Sequence, residues 1–350
     1  MCGSLIATID AGSSGSRIHL FHYSYQDGGE FQLRPFKNYN KQIVEKKIEP
    51  GISSYAADPK GAARSLEPLL NYVKDEITDT CKDPNIVKNT YILLYATAGM
   101  RTLQTNEQTP ILKSIREYFK KSGFRTLDST LDMGVQIISG QEEAIYAWIA
   151  ANYWNRSLLG QANNKEESFS KTVGIVEMGG ASMQFAFAIH PDEVPDDHTS
   201  DALVSFKLLG KQYSLYAKSL LGWGIDQAIS KLKEPACFPK GYSEKDIHGS
   251  GKSFQDCKKK IISKLFKKDD ILIPNKDMIF YGFGNFYYFG KSVGISDSDK
   301  VSAENYLSFA EKYCSQDFDT LKSEFKTEKN LYVGRKCIIP SLLNYIALAY

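Results

Sequence analysis

This chain of 350 residues has no run of about 18 apolar residues, so no helix in it is expected to cross a membrane. Its opening, MCGSLIATID, lacks the basic stretch and small-residue cleavage site of a secretory leader and reads as the start of a strand. No CxxC or zinc-like cluster occurs, which argues against a zinc ribbon. There is no GxxxxGK[ST], so a Walker-type phosphate loop is not indicated. Net charge is only +2, too little to favour DNA or RNA as the main partner. The basic runs KKK (258–260) and KLFKKDD (264–270) read as solvated helix faces.

What is present is a duplication. Residues 5–21 read LIATIDAGSSGSRIHLF and residues 173–187 read VGIVEMGGASMQFAF. Each is an apolar run, an acid, a small-residue turn and a second apolar run, the pattern of a strand–turn–strand hairpin. Asp10 aligns with Glu177, and Gly12 with Gly179. Between and after the hairpins, strand and helix patterns alternate: a helix from about residue 60, a buried strand in TYILLYATAGMR, an amphipathic helix in TPILKSIREYFKKSGF, and a strand, turn and helix in VQIISGQEEAIYAWIAANYW. GQANNKEESFSK (160–171) reads as a polar loop. A length of 350 suits two domains, and the order of elements predicts a duplicated α/β architecture with ligands at the carboxyl ends of strands.

Glycines in the two turns let backbone N–H groups converge on an anion without a Cβ in the way. Ser13, Ser14 and Ser182 add hydroxyls. An acid at the head of each turn would repel a bare phosphate but would suit a cation that carries one. Thr97 and Arg101 follow a buried strand; Arg101 could reach phosphate or anchor its own loop. Glu142 and Glu143 lie at a helix start, where the helix dipole favours acids, and only one of two neighbours can aim at a given point. The four later cysteines form two local pairs, Cys237/Cys257 and Cys314/Cys337, readable as free thiols or as disulfides of an oxidising compartment. Cys2 and Cys81 receive no pairing from the sequence.

The set IDAGSSGSR, ATAGMR, SGQEEAIYAW, VEMGGASMQF and FGNFYYF resembles the signature regions of the ecto-apyrases, the nucleoside triphosphate diphosphohydrolases, in the same order. The resemblance implies an actin-like (ribonuclease H-like), two-lobed α/β fold with the active-site cleft between lobes. Lobe I would comprise 1–138 and 328–350, and lobe II 139–327. It implies hydrolysis of terminal phosphates of nucleoside tri- and diphosphates with Mg²⁺ or Ca²⁺ and no phosphoenzyme. Residue by residue, Glu143 matches the catalytic base. Ser182 and Gln184 match the groups that position the water, and Thr97 a residue near metal and water. Asp10 and Glu177 match acids that hold the metal through its waters. Ser13, Ser14, Gly15, Gly179, Gly180, Ala181 and Arg101 match the phosphate-binding segments. Tyr287 and Tyr288 match the base-stacking region. The resemblance also favours the disulfides Cys237–Cys257 and Cys314–Cys337, hence a secreted, periplasmic or lumenal monomer without nucleic-acid partners. Two departures stand out. The family usually has Asp where this chain has Glu177, a carboxylate shifted by about one C–C bond, roughly 1.5 Å. It often has a larger residue at Gly15. Rival readings are the exopolyphosphatase and guanosine-pentaphosphate phosphohydrolase family, which shares the hairpins and the glutamate, and a non-catalytic actin-like nucleotide-binding protein.

Overall fold

The first hairpin folds as read. In the computed structural model, strand β1 (Ser4–Ala11) turns through residues 12–15 into β2 (Ser16–Tyr25), with Asp10 opposite Arg17. The described residues are 2–25, 31–83, 85–127, 134–158, 172–190, 201–251, 254–265, 277–296, 299–326 and 330–341. The chain divides into two units, Met1–Ser139 and Gly140–Tyr350.

In the first unit, β3 (Phe31–Pro35), β4 (Glu45–Ile48), β5 (Tyr91–Ala96) and β6 (Val135–Ile137) complete a sheet of order β3-β2-β1-β5-β6, with β4 also paired to β2. β5 runs parallel to β1, placing Tyr95 beside Asp10. Side chains alternate across a strand, so Leu5, Ala7, Ile9 and Ala11 all enter one core. The helices α1 (Pro59–Ser65), α2 (Glu67–Cys81), α3 (Ile86–Asn89), α4 (Ala98–Arg101) and α5 (Thr105–Lys121) follow. Leu69, Leu70, Val73 and Ile77 of α2 and Ile111, Ile115 and Phe119 of α5 recur at helical spacing and bury against the sheet. The expected helix near residue 60 is two helices. The first is capped by Asp58, whose carboxylate accepts from Gly61 N at 2.9 Å. The segment after β5, read as a loop, is the single helical turn α4. Cys2 and Cys81, left unpaired by the sequence, form a disulfide between the head of β1 and the end of α2.

The second unit starts with α6 (Gly140–Trp154). Its strands are β7 (Gly174–Met178), β8 (Ser182–Ala188), β9 (Leu203–Leu208), β10 (Lys211–Leu221), the short pair β11 (Ser243–Glu244) and β12 (Ile247–His248), and β13 (Phe280–Gly284). The main sheet has the order β13-β7-β8-β10-β9. Every residue of β8 is buried, because both faces of this sheet are covered. Ile175, Ala186, Leu215 and Ala217 meet Ala144 and Trp148 of α6. Val176, Met178, Phe185 and Phe187 meet the helices on the other side: α7 (Ile225–Leu232), α8 (Phe254–Leu265), α9 (Asn285–Ser292), α10 (Ala303–Cys314), α11 (Phe318–Glu324) and α12 (Asn330–Arg335). Buried Asn152 fixes α6 to the sheet. It donates to the carbonyls of Trp148 and Val173 and accepts from Val173 N at 2.8 Å.

Both expected disulfides, Cys237–Cys257 and Cys314–Cys337, are present. Residues 330–341 pack in the second unit: Cys337 is bonded to Cys314, Val333, Ile338 and Ile339 enter its core, and Arg335 pairs with Asp226 at 2.9 Å. The loop expected at 160–171, most of KLFKKDD and residues 342–350 lie outside the described residues.

Candidate active site

The two hairpins are equivalent residue for residue. Asp10 faces Arg17 across its hairpin, and Glu177 faces Gln184 across the other, each pair seven positions apart. Parallel strands flank both acids: Tyr95 of β5 lies beside Asp10, and Phe283 of β13 beside Glu177. By this register Gly12-Ser13-Ser14-Gly15 corresponds to Gly179-Gly180-Ala181-Ser182, Arg17 to Gln184, and Thr97 to Asn285.

The first turn is wedged between two close backbones. A Cβ on Gly99 of α4 would lie 2.6 Å from Ser13 Cα, and one on Gly51 would lie 2.5 Å from Gly12 O and 2.7 Å from Ser13 O. Thr97 is buried at the end of β5, and its N–H donates to Ala11 O at 3.1 Å. Arg101 donates from Nη1 to Ile138 O at 3.0 Å, which ties α4 to the segment after β6. Asp10 presents accessible surface yet is closely surrounded by protein atoms. Desolvation therefore raises its pKa above the ordinary carboxylate value, opposed by the charge of Arg17. Among the described residues its carboxylate has no hydrogen bond or ion pair.

The second turn is gripped from behind. The first N–H groups of an α-helix have no partner within the helix. Here those of α7 are given to the turn: Ile225 N donates to Gly179 O at 3.0 Å, Asp226 N to Gly180 O at 2.9 Å and Gln227 N to Gly180 O at 3.2 Å. Gly222 N donates to Ala181 O at 2.7 Å. Within the turn itself, Gly179 N donates to Ser182 O at 3.0 Å. Gly224 lies between turn and helix, where a Cβ would sit 2.4 Å from Ala181 N and from Gly180 C. On the strand side, Asn285 Nδ2 donates to Met178 O at 2.8 Å and Gly179 O at 3.3 Å. Gly284 precedes it at φ +61°, with Met178 O only 2.4 Å from where a Cβ would stand.

The acids of GQEE separate cleanly. Glu142 is exposed, whereas Glu143 is half-buried and accepts from Gln184 Nε2 at 3.0 Å. The same nitrogen contacts Ser182 Oγ and lies 3.2 Å from Ser219 Oγ. An amide nitrogen has two hydrogens, and a carboxylate only accepts. One hydrogen therefore goes to Glu143 and the other to the serines. Ser182 and Gln184 are buried. The start of α6 is held by Gln141, which donates to Asp201 O at 2.6 Å. Tyr287 and Tyr288 are exposed on α9, their rings edge-to-face with centroids 5.5 Å apart.

Four residues of this arrangement escaped the sequence reading: Gly51, Ser219, Gly224 and Asn285. Asn285 stands inside the quoted FGNFYYF segment, and the alignment of the two hairpins with their parallel strands would have found it. Ser219 carries no motif; only the β8–β10 register brings it to Gln184.

A duplicated sheet whose paired strands end in an acid and a small-residue turn defines the actin-like phosphohydrolase fold. The chain belongs to the GDA1/CD39 (nucleoside phosphatase) family, whose model matches residues 5–345, and is a nucleoside phosphatase. It is 30% identical to probable apyrase 5 of Arabidopsis thaliana, over 94% of this chain and 72% of that protein. It is 28% identical to the nucleoside-diphosphatase mig-23 of Caenorhabditis briggsae, over 92% of this chain and 66% of that one. Among solved structures it resembles the nucleoside triphosphate hydrolase of Neospora caninum, with a TM-score of 0.64 at 14% identity, over 98% of this chain and 85% of that one. The Ppx/GppA family member of Aquifex aeolicus shares the fold at TM-score 0.55 and 13% identity, over 99% and 90% of the two chains.

The family depends on a divalent cation. No group of three or more His, Cys, Asp or Glu side chains suited to a metal occurs among the described residues. The donors present are single carboxylates with hydroxyls and amides nearby, and Asp10 is a desolvated carboxylate without a partner there. That donor set fits a hard cation that keeps most of its water shell.

Proposed function

We propose that the chain removes the terminal phosphate from nucleoside tri- and diphosphates by in-line attack of water, with Glu143 as general base. The observation that carries this reading is the hydrogen-bonded set Glu143–Gln184–Ser182. Gln184 orients the carboxylate of Glu143, the group that accepts a proton from the attacking water. Ser182, held by the same amide nitrogen, helps to position that water. As the water oxygen bonds to phosphorus, its proton passes to Glu143, the phosphoanhydride P–O bond breaks, and the leaving oxygen keeps the electron pair. Such a transfer requires positioning and charge stabilisation rather than covalent catalysis.

The turn Gly179-Gly180-Ala181 and, in the other hairpin, the hydroxyls of Ser13 and Ser14 with the backbone at Gly15 receive phosphate oxygens. Thr97 belongs to the same set, and Arg101 fixes the loop that carries it. Asp10 and Glu177 would hold Mg²⁺ or Ca²⁺ through its waters, and the ion, when bound, would supply charge neutralisation of the phosphates. Tyr287 and Tyr288 stack the base. The three disulfides support work in an oxidising compartment, secreted, periplasmic or lumenal. Activity as a monomer, without nucleic-acid partners, completes this reading. A guanosine-diphosphatase of Schizosaccharomyces pombe, 34% identical over 64% of this chain and 36% of that protein, supports diphosphates among the substrates.

The test is Glu143→Gln. Turnover should fall by at least about 10²-fold, as for loss of a general base, with nucleotide binding kept; unchanged turnover removes Glu143 from the mechanism. Phosphate release from ATP, ADP and long-chain polyphosphate, with Mg²⁺ or Ca²⁺, separates this reading from the exopolyphosphatase one. Strong preference for polyphosphate would overturn it.

A further inference from the structure

The sequence contains one Asn-x-Ser/Thr tripeptide, Asn155-Arg156-Ser157. It falls just past the end of α6, on the surface of the second unit, and has no part in the hydrolytic residues above. Asn155 and Arg156 are exposed, and Ser157 is half-buried. We infer that Asn155 is an N-glycosylation site whose glycan covers the exposed indole of Trp154. The inference rests on the reading that the chain matures in an oxidising, lumenal compartment.

The local fold accommodates the modification. Backbone bonds alone shape the turn: Asn155 N donates to Ala151 O at 2.9 Å, Arg156 N to Tyr153 O at 3.1 Å and Ser157 N to Asn152 O at 2.9 Å, with Arg156 at φ +60°. The side chain of Asn155 makes two contacts. Its Oδ1 accepts from Tyr281 Oη at 3.2 Å, and its Nδ2 donates to Ser157 Oγ at 3.0 Å. A primary amide has two hydrogens on nitrogen. N-linkage replaces one and leaves the oxygen and one N–H, so both contacts survive.

Trp154 immediately precedes the tripeptide. It is 72% exposed, while Trp148 is fully buried and Trp223 half-buried. Tyr281, which touches Asn155, is 37% exposed. An indole presents a flat apolar face that the C–H face of a sugar can cover.

The donor is an oligosaccharide carried on a polyisoprenyl pyrophosphate. Asn155 Nδ2 bonds to the anomeric carbon of the first sugar, and the bond from that carbon to the pyrophosphate oxygen breaks. The lipid pyrophosphate leaves with the electron pair, and the amide proton passes to the transferase.

The experiment expresses the full chain behind a secretory leader in eukaryotic cells. Intact mass before and after peptide-N-glycosidase, thiol titration, and collisional quenching of tryptophan emission are measured. The expected result is one glycan per chain at Asn155, absent in Asn155→Gln and in Ser157→Ala. Quenching by acrylamide should be weaker in the glycosylated chain and rise on deglycosylation, because Trp154 is the most exposed tryptophan. A chain with no titratable thiols and no glycan would overturn the site while leaving the compartment reading intact. Free thiols would overturn the compartment reading and the site with it. A glycan that leaves quenching unchanged would overturn the covering of Trp154.

Discussion

Gly224→Ala tests how far hydrolysis depends on the grip of α7 on the second turn. A Cβ there would meet Gly180 C and Ala181 N at 2.4 Å and Ser182 N at 2.5 Å. Ordinary contacts begin near 3.4 Å, so the turn or the helix must move by about 1 Å. All three atoms are backbone, so no flexible side-chain end can absorb the shift. Four hydrogen bonds from residues 222–227 to the carbonyls of Gly179, Gly180 and Ala181 resist it. A displacement of about 1 Å in a positioning element costs on the order of 10²-fold in rate, while overpacking costs about 1–3 kcal/mol of stability. The assay is steady-state phosphate release from a nucleoside diphosphate with a divalent cation, alongside thermal unfolding to establish that the variant is folded. Gly134→Ala is the control, since its Cβ would meet its nearest neighbour at 3.5 Å. A folded Gly224→Ala enzyme with wild-type kcat would refute the idea that the turn's position is set from behind by α7.

Other outcomes are equally open to measurement. Asn285→Ala removes both side-chain bonds to Met178 O and Gly179 O and should lower kcat by about tenfold, equivalent to roughly 1.4 kcal/mol; an unaltered kcat would limit Asn285 to a packing role. Glu177→Asp should keep most activity if the carboxylate acts through metal-bound water, and a nearly dead variant would contradict that. Replacing Cys2 and Cys81 together by Ser opens a loop with a sequence separation of 79 and should cost up to roughly 4.5 kcal/mol in denaturant unfolding on the loop-entropy estimate, with turnover per folded molecule retained. Burial lowers the pKa of His19 against the opposing pull of Glu45. Its contribution to stability is therefore complete above the ordinary histidine pKa and is lost as pH falls from there through the folded value. Unfolding measured across that acid range should show a smaller loss in His19→Asn, and an identical profile would exclude His19 as a source.

Much of the fold was legible because its signals are local. The acid-and-glycine turns between apolar runs announce hairpins, and their repetition announces a duplicated fold. Helix α2 and helix α5 show their buried stripes at helical spacing. GQEE places an acid at a helix start, but which one turns inward depends on how α6 lies on its sheet. That is set by remote groups, Asn152 on Val173 and Gln141 on Asp201. Ser219 and Gly224 were silent for the same reason: each matters through a neighbour that is distant in sequence.

By itself the sequence determined the two hairpins, the residues at their turns and the resemblance to apyrases, since each is written in short segments; the two later disulfides were favoured only through that resemblance. Only the tertiary structure decided the rest. It paired Cys2 with Cys81 across 79 positions. It carried residues 330–341 into the second unit, because Cys337, Val333 and Ile338 find their partners there. It also set the surroundings of the two acids of GQEE, with Glu143, the one the resemblance had named, beside Gln184 and Glu142 exposed.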